Sequence, residues 1–305
     1  MTGAEATVGT HQRRRQLLAT GALLAVTASW GSTFFLIKDL LERVPTLDFL
    51  AVRFAIAGVV VFAVAHRSVL ALDRTVLRRA VLVGAVYGVA QVLQTAGLAH
   101  TAASVSGFIT GMYVVCTPLL AALLLRTRIN ALTWAAVALA TVGLGVLSLD
   151  GFSVGYGEAL TFVAAVLYAL HIVALGAWST ARDALGMSVV QLLVIAVICL
   201  VATAPDGVVV PERAADWAAV VYMALVAGAL ALVAQTWAQS QLSPTRTALV
   251  MSMEPVFAAG FAVALGGEHA TARMLLGGAM VLAAMVAVEL GPRRKVEGEV
   301  PHLAV

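Results

Sequence analysis

The stretch SVSGFITGMYVVCTPLLAALLL, residues 104–125, and its echo TRTALVMSMEPVFAAGFAVALG, residues 245–266, decide the architecture. Each is apolar, long enough to cross a bilayer, and carries a proline near its middle, Pro118 and Pro255. The second places Glu254 directly before its proline. A carboxylate at the centre of an apolar helix costs about 2.5–3.5 kcal/mol on insertion scales and marks a functional position by default. The two stretches lie about half a chain apart, which raises the question of duplication.

Composition points the same way. Of 305 residues, 61% are hydrophobic and 11% charged, where soluble domains carry roughly 25% charged residues. Too little polar surface is available for a soluble globule. The apolar runs are continuous and of helical span length rather than alternating, so the expected class is an all-α integral membrane protein and not a β-barrel. Cys116 and Cys199 both fall inside apolar runs, where small packing residues are expected rather than a disulfide or metal pair. No nucleic-acid signature and no phosphate-binding G-x-x-x-x-G-K-[ST] string is present, and no cofactor or metal is implied.

Ten spans are predicted: 17–37, 47–65, 79–99, 103–125, 131–149, 157–178, 186–204, 217–238, 245–265 and 272–291. Residues 1–16 form a polar tail ending in Arg13-Arg14-Arg15, which imitates a twin-arginine signal, but the apolar run behind it is too long and more spans follow. A second polar tail covers 292–305. Orientation follows from basic residues on alternate sides. One side holds Arg13, Arg14, Arg15, Arg67, Arg74, Arg78, Arg79, Arg126, Arg128, Arg182, Arg246, Arg293, Arg294 and Lys295, and the other only Lys38, Arg43, Arg213 and Arg273. Both termini are therefore expected in the cytoplasm.

Matches between the halves suggest a repeat. Trp30 and Arg53 stand 23 residues apart, as do Tyr168 and Gln191. Gln94-Thr95 recurs as Gln235-Thr236, and in that register Ser104 falls on Thr245, with Pro118 and Pro255 four residues out of step. Four residues is about one helical turn. Two repeats of five spans, 17–150 and 151–291 with the short linker 150–157, must lie in opposite orientations, because five is odd. Inverted repeats of this kind characterise many secondary transporters, with a site near the midplane. The pairs Gly84/Gly88 and Gly107/Gly111 and the Gly277-Gly278 step suit close helix approach, first for packing and only weakly for dimerisation. Monomer and homodimer stay open.

The candidate site residues are polar positions inside these spans. Glu254 near mid-depth suits a cationic group or a proton, with a structural hydrogen-bonded carboxylate as the alternative. Arg53 suits an anionic substrate group, or else snorkels outward. His171 suits proton transfer, or a neutral hydrogen-bonded core position. Trp30, Tyr87, Gln91, Gln94, Tyr113, Tyr168, Gln235 and Trp237 offer aromatic faces and amides for a pocket wall, while an interfacial aromatic belt competes for Trp30 and Trp237. Pro118 and Pro255 are the expected helix kinks, since proline removes an intrahelical hydrogen bond.

Trp30-Gly31-Ser32, the run from Ser104 to Leu125, and Met253-Glu254-Pro255 followed by Gly267-Glu268 together resemble the EamA family of the drug/metabolite transporter superfamily. The resemblance covers residues from about 20 to 290. It implies a cytoplasmic-membrane exporter of amino acids, other metabolites or drugs, driven by the proton gradient. It also implies a central cavity walled partly by the fourth and ninth spans. The chain departs from the family pattern at Thr117-Pro118, where many members carry a polar or acidic residue before the proline, and at Arg126-Thr127-Arg128, opposite the Gly-Glu of the other half. Glu254 is thus the better proton carrier of the two halves. The expected partners are a small-molecule substrate, protons and the lipid bilayer. The competing classes are an intramembrane enzyme on a lipid-like substrate, for which the six scattered histidines supply no catalytic cluster, and a structural or sensory membrane protein, which needs neither Glu254 nor a duplication.

Overall fold

The computed structural model describes residues 3–101, 103–126, 128–148, 155–205, 207–265 and 269–290. Most of the linker 150–157, Thr127, the Gly267-Glu268 pair and the tail 292–305 lie outside the described residues. The described residues form helices joined by short turns, and no strand.

The chain runs α1 Gly3–Gly31, α2 Thr33–Leu41, α3 Thr46–Leu70, α4 Arg74–His100, α5 Ala103–Gly111, α6 Tyr113–Leu125 and α7 Ala131–Ser148. The second half runs α8 Tyr156–Trp178, α9 Ala184–Thr203, α10 Ala214–Ala224, a π-helical segment Leu225–Leu230, α11 Ala231–Gln239, α12 Pro244–Met251, α13 Glu254–Leu265 and α14 Ala272–Leu290. Six of these stretches are long and apolar enough to cross a membrane: 46–70, 74–100, 156–178, 184–203, 214–239 and 244–265. Shorter apolar helices add 109–125, 131–146 and 272–288. Leucines and valines on their outer faces are open, Val64 by 84% and Leu123 by 74%. In water such a face would be unstable; in lipid tails it is the expected surface. This is a multi-pass membrane protein.

Helix starts carry their own chemistry. The Asp73 carboxylate accepts from the main-chain N–H of Thr75 (2.7 Å) and Val76 (2.9 Å), and Asn130 accepts from Thr133 (2.8 Å). Those contacts satisfy donors a helix N-terminus otherwise leaves unpaired. Pro244 occupies the first turn of α12, where its missing N–H is not needed. α1 begins at Gly3, well before Leu17, so the polar leader continues the first helix.

Glycines set the helix packing inside one chain. A Cβ on Gly58 would meet Leu192 and Leu193, and one on Gly186 would meet Ser68 and Leu72, so α3 and α9 run antiparallel. Gly84 faces Gln191 and Gly88 faces Ile195 and Ile198, which lays α4 parallel to α9. Gly97 faces Gly157 and Thr161, so α4 and α8 are antiparallel. Gly143 faces Gly277 and Met280, while Arg273 Nε donates to Val146 O (3.2 Å), so α7 and α14 are antiparallel too. The Gly84/Gly88 pair is thereby used within the chain.

Among the described residues, three pairs of successive helices are separated by single turns and one helical stretch is bulged. α1 and α2 break at Ser32, whose Oγ donates to Ser29 O (2.7 Å), and Thr33 Oγ1 donates to Trp30 O (2.8 Å). Short side-chain hydroxyls returning to the preceding turn take up carbonyls there. α5 and α6 break at Met112, with Met112 N bonding Ile109 O (3.1 Å); α12 and α13 break at Ser252-Met253, with Met253 N bonding Val250 O (3.2 Å). These two tight turns are in register when Ser104 is laid on Thr245. The prolines are not. Pro255 is the second residue of α13, beside its break, whereas Pro118 lies inside the continuous α6, six residues past Met112.

Candidate functional site

A cavity of about 70 Å³ lies among the interrupted helices. At roughly 10–15 Å³ per water it has room for on the order of five waters. Ten of the eleven polar and aromatic side chains singled out above line it: Trp30, Arg53, Tyr87, Gln91, Gln94, Tyr113, Tyr168, His171, Gln235 and Glu254. Residues of ordinary type complete the wall, among them Thr33, Phe34 and Ile37 from α2, Thr110 from α5 and Met251 from α12. Trp237 packs against the core and is not part of the lining.

Arg53 is 5% exposed and does not snorkel. Its Nε donates to Met223 O (3.1 Å) and its Nη2 to Ala227 O (3.4 Å). Ala227 O also accepts from Trp30 Nε1 at 2.8 Å. Both carbonyls belong to the turns around the π-helical segment, where a widened turn shifts the main chain off its regular ladder and presents carbonyls sideways. Gly228 permits that wide turn to sit tightly, because a Cβ there would come within 3.0 Å of Met223 O. The faces of Phe54 (5.1 Å) and Phe49 (5.9 Å) flank the guanidinium.

Glu254 is 8% exposed and opens α13. A helix N-terminus favours negative charge. Among the described residues, the ion pairs within 4 Å are Arg43 with Asp39 and Arg43 with Asp216. Arg53 and Glu254 therefore share a cavity without neutralising each other. Gly31, at the end of α1, packs directly on the first turn of α13: a Cβ there would stand 2.8 Å from Ala258 N and 3.0 Å from Glu254 O.

Between the two charges runs a polar and aromatic wall. Tyr168 Oη donates to Gln94 Oε1 (2.6 Å), and Gln94 Nε2 donates to Thr110 Oγ1 (3.1 Å). Tyr87 tilts against Tyr168 at 5.6 Å and stacks on His171 at 4.7 Å. His171, 1% exposed, meets Gln191 Oε1 through Nε2 at 2.8 Å. Gln191 Nε2 is spent on Met187 O (3.2 Å), so its oxygen accepts and His171 Nε2 carries the hydrogen. His171 is thus a hydrogen-bonded core histidine among the residues that line the cavity. Two buried lining atoms have no protein partner: Tyr113 Oη and Gln235 Oε1. Orphaned buried polar atoms are costly unless water or a ligand meets them.

Outside the lining, Arg43, two residues past α2, pairs with Asp216 of α10 (Nη2–Oδ1 2.8 Å), and Ser32 Oγ and Tyr222 Oη lie 2.6 Å apart. Asp48 accepts from Val209 N (3.2 Å) on the same side.

The model of the EamA-like transporter family matches twice, over residues 17–149 and 155–290. An uncharacterized transporter of Archaeoglobus fulgidus is 27% identical over 90% of this chain and 87% of its own. The uncharacterized inner membrane transporter YedA of Escherichia coli is 26% identical over 92% of this chain and 93% of its own. Among solved structures, one crystal structure superposes with a TM-score of 0.75 at 18% identity, covering 88% of this chain and 96% of that one, a likeness of fold alone.

Proposed function

The chain belongs to the EamA-like transporter family and is a membrane transporter, and from that premise we propose a secondary active exporter of a small metabolite or drug, working by alternating access in exchange for protons. The observation that carries this reading is the convergence of Arg53, Glu254 and eight further lining side chains on one cavity bounded by broken helices of both halves.

In this reading ten spans form two inverted repeats, 17–150 and 151–291, with both termini cytoplasmic. Three features support it. The family model matches each half separately. The second spans of each half, α3 and α9, pack antiparallel, as do the fifth, α7 and α14. Only a two-fold axis perpendicular to the helices relates antiparallel equivalents. Exchanging the halves also maps neighbours onto neighbours: α4 against α8 becomes α11 against α1, and α6 against α8 becomes α12 and α13 against α1. The Met112 and Met253 breaks also exchange with each other, and the exchange pairs Tyr113 with Glu254. Glu254 is the proton carrier, the aromatic and amide wall receives the substrate, and rocking one half against the other opens the cavity to each side in turn.

The test is reconstitution of the purified protein in liposomes containing a pH dye. A panel of amino acids, nucleosides and cationic drugs is screened for substrate-dependent proton movement, with Glu254→Gln alongside. The expected result is a substrate that moves protons through the native protein and not through the variant. Transport without proton movement in both proteins would refute coupling. Silence across the panel would refute the substrate classes named.

A further inference from the structure

A buried guanidinium in a membrane protein needs a reason to stay charged. Arg53 presents five N–H donors, and its protein hydrogen bonds use Nε and one Nη2 hydrogen, on Met223 O and Ala227 O. Phe49 and Phe54 cover its faces but accept no hydrogen bond in the guanidinium plane. No carboxylate among the described residues lies within 4 Å of it. An arginine serving only to glue α3 to α10 would spend its whole fork on protein acceptors. Here the Nη1 edge remains, on a side chain that lines the cavity.

We propose that Arg53, clamped by the Met223 and Ala227 carbonyls, is an anion subsite of this cavity, taking solutes that carry a carboxylate or another singly charged oxyanion. The two carbonyl bonds fix the plane of the guanidinium, which pre-organises its free edge for a planar oxyanion. Among the described residues lining the cavity Arg53 is the one Lys or Arg, so it matches a single negative charge on the solute. This deepens the transport reading and rests on its assignment of the cavity as the substrate site, but its test is of binding alone.

The purified full-length protein in detergent is titrated with amino acids and short carboxylic acids, each against its own primary amide, while thermal stability is followed. Loss of a charge-assisted hydrogen-bond pair corresponds to a change of about tenfold or more in affinity. The native protein is expected to bind at least one acid about tenfold more tightly than the matching amide. Arg53→Gln is expected to erase that preference, and Arg53→Lys to restore part of it. Amides binding as well as acids, an acid preference that survives in Arg53→Gln, or no acid on the panel binding would each overturn the proposal. If Arg53→Gln fails to fold, the acid–amide comparison on the native protein and on Arg53→Lys still decides. Acid-selective binding without transport in liposomes would count against the transport reading while leaving the subsite intact. Transport of solutes with no acid preference would do the reverse.

Discussion

Replacing Gly31 by alanine adds one methyl group where α1 meets the turn that carries Glu254. The new Cβ would stand 2.8 Å from Ala258 N and Phe257 Cβ, and 3.0 Å from Glu254 O. Ordinary van der Waals contact begins near 3.4 Å, so the helices must part by roughly half an ångström. Two of the three atoms are main chain and the third is a Cβ, so no side chain can rotate away. Overpacking of this kind costs about 1–3 kcal/mol. At on the order of 2 °C per kcal/mol for a chain of this length, the apparent melting temperature falls by about 2–6 °C. Gly21, in the same helix, has nothing within 4 Å of its Cβ position and is exposed. The same substitution there removes only backbone freedom and stabilises by about 0.4–1 kcal/mol. A thiol-reactive dye reporting exposure of the fully buried Cys199 follows both unfolding curves in detergent. Opposite signs are expected. A Gly31→Ala protein as stable as Gly21→Ala would refute the packing argued for α1 and α13.

Other consequences follow from single contacts. Gln191→Leu leaves the His171 ring N–H buried without an acceptor and should cost about 1–3 kcal/mol; adding His171→Phe should recover part of that loss, and a strictly additive double-mutant cycle would contradict the pairing. Tyr168→Phe removes the donor to Gln94 and releases the Gln94–Thr110 contact, so ligand affinity should fall several-fold with little change in expression; unchanged affinity would place the ligand elsewhere. Asp216→Asn breaks the Arg43 tie between α2 and α10, so a cysteine at Ile37 should react faster with an impermeant maleimide. High salt should raise the labelling rate of the native protein and change that of the Asp216→Asn protein less.

The six long apolar spans were legible because membrane insertion is governed by composition over about twenty residues, and Leu, Val and Ala runs bounded by Arg, Asp and Pro stand out. Arg53 and Glu254 were legible for a related reason: charge in an apolar helix is conspicuous whatever its neighbours. Thr33, Phe34, Thr110 and Met251 were not, since their residue types are ordinary and only the rotation of each helix decides whether they face the cavity. In the first half the helix boundary and the proline fall at different places. Pro118 lies inside α6, whereas the interruption falls at Met112, directly after Gly111 and in register with Met253. Pro255 is tolerated in a first turn where its missing N–H is no loss. The π-helical segment 225–230 had no sequence signal beyond Gly228, because its role appears only when Arg53 and Trp30 reach its carbonyls.

Alternating access is tested most directly by the accessibility of the cavity itself. With Cys116 and Cys199 replaced by alanine, a single cysteine is placed at Thr110, and oriented vesicles are labelled with an impermeant maleimide from one face or the other. The account predicts that either face alone can label the whole population over time, and that a bound substrate slows both reactions. Labelling confined to one face, with a residual fraction never reached from the other, would contradict it.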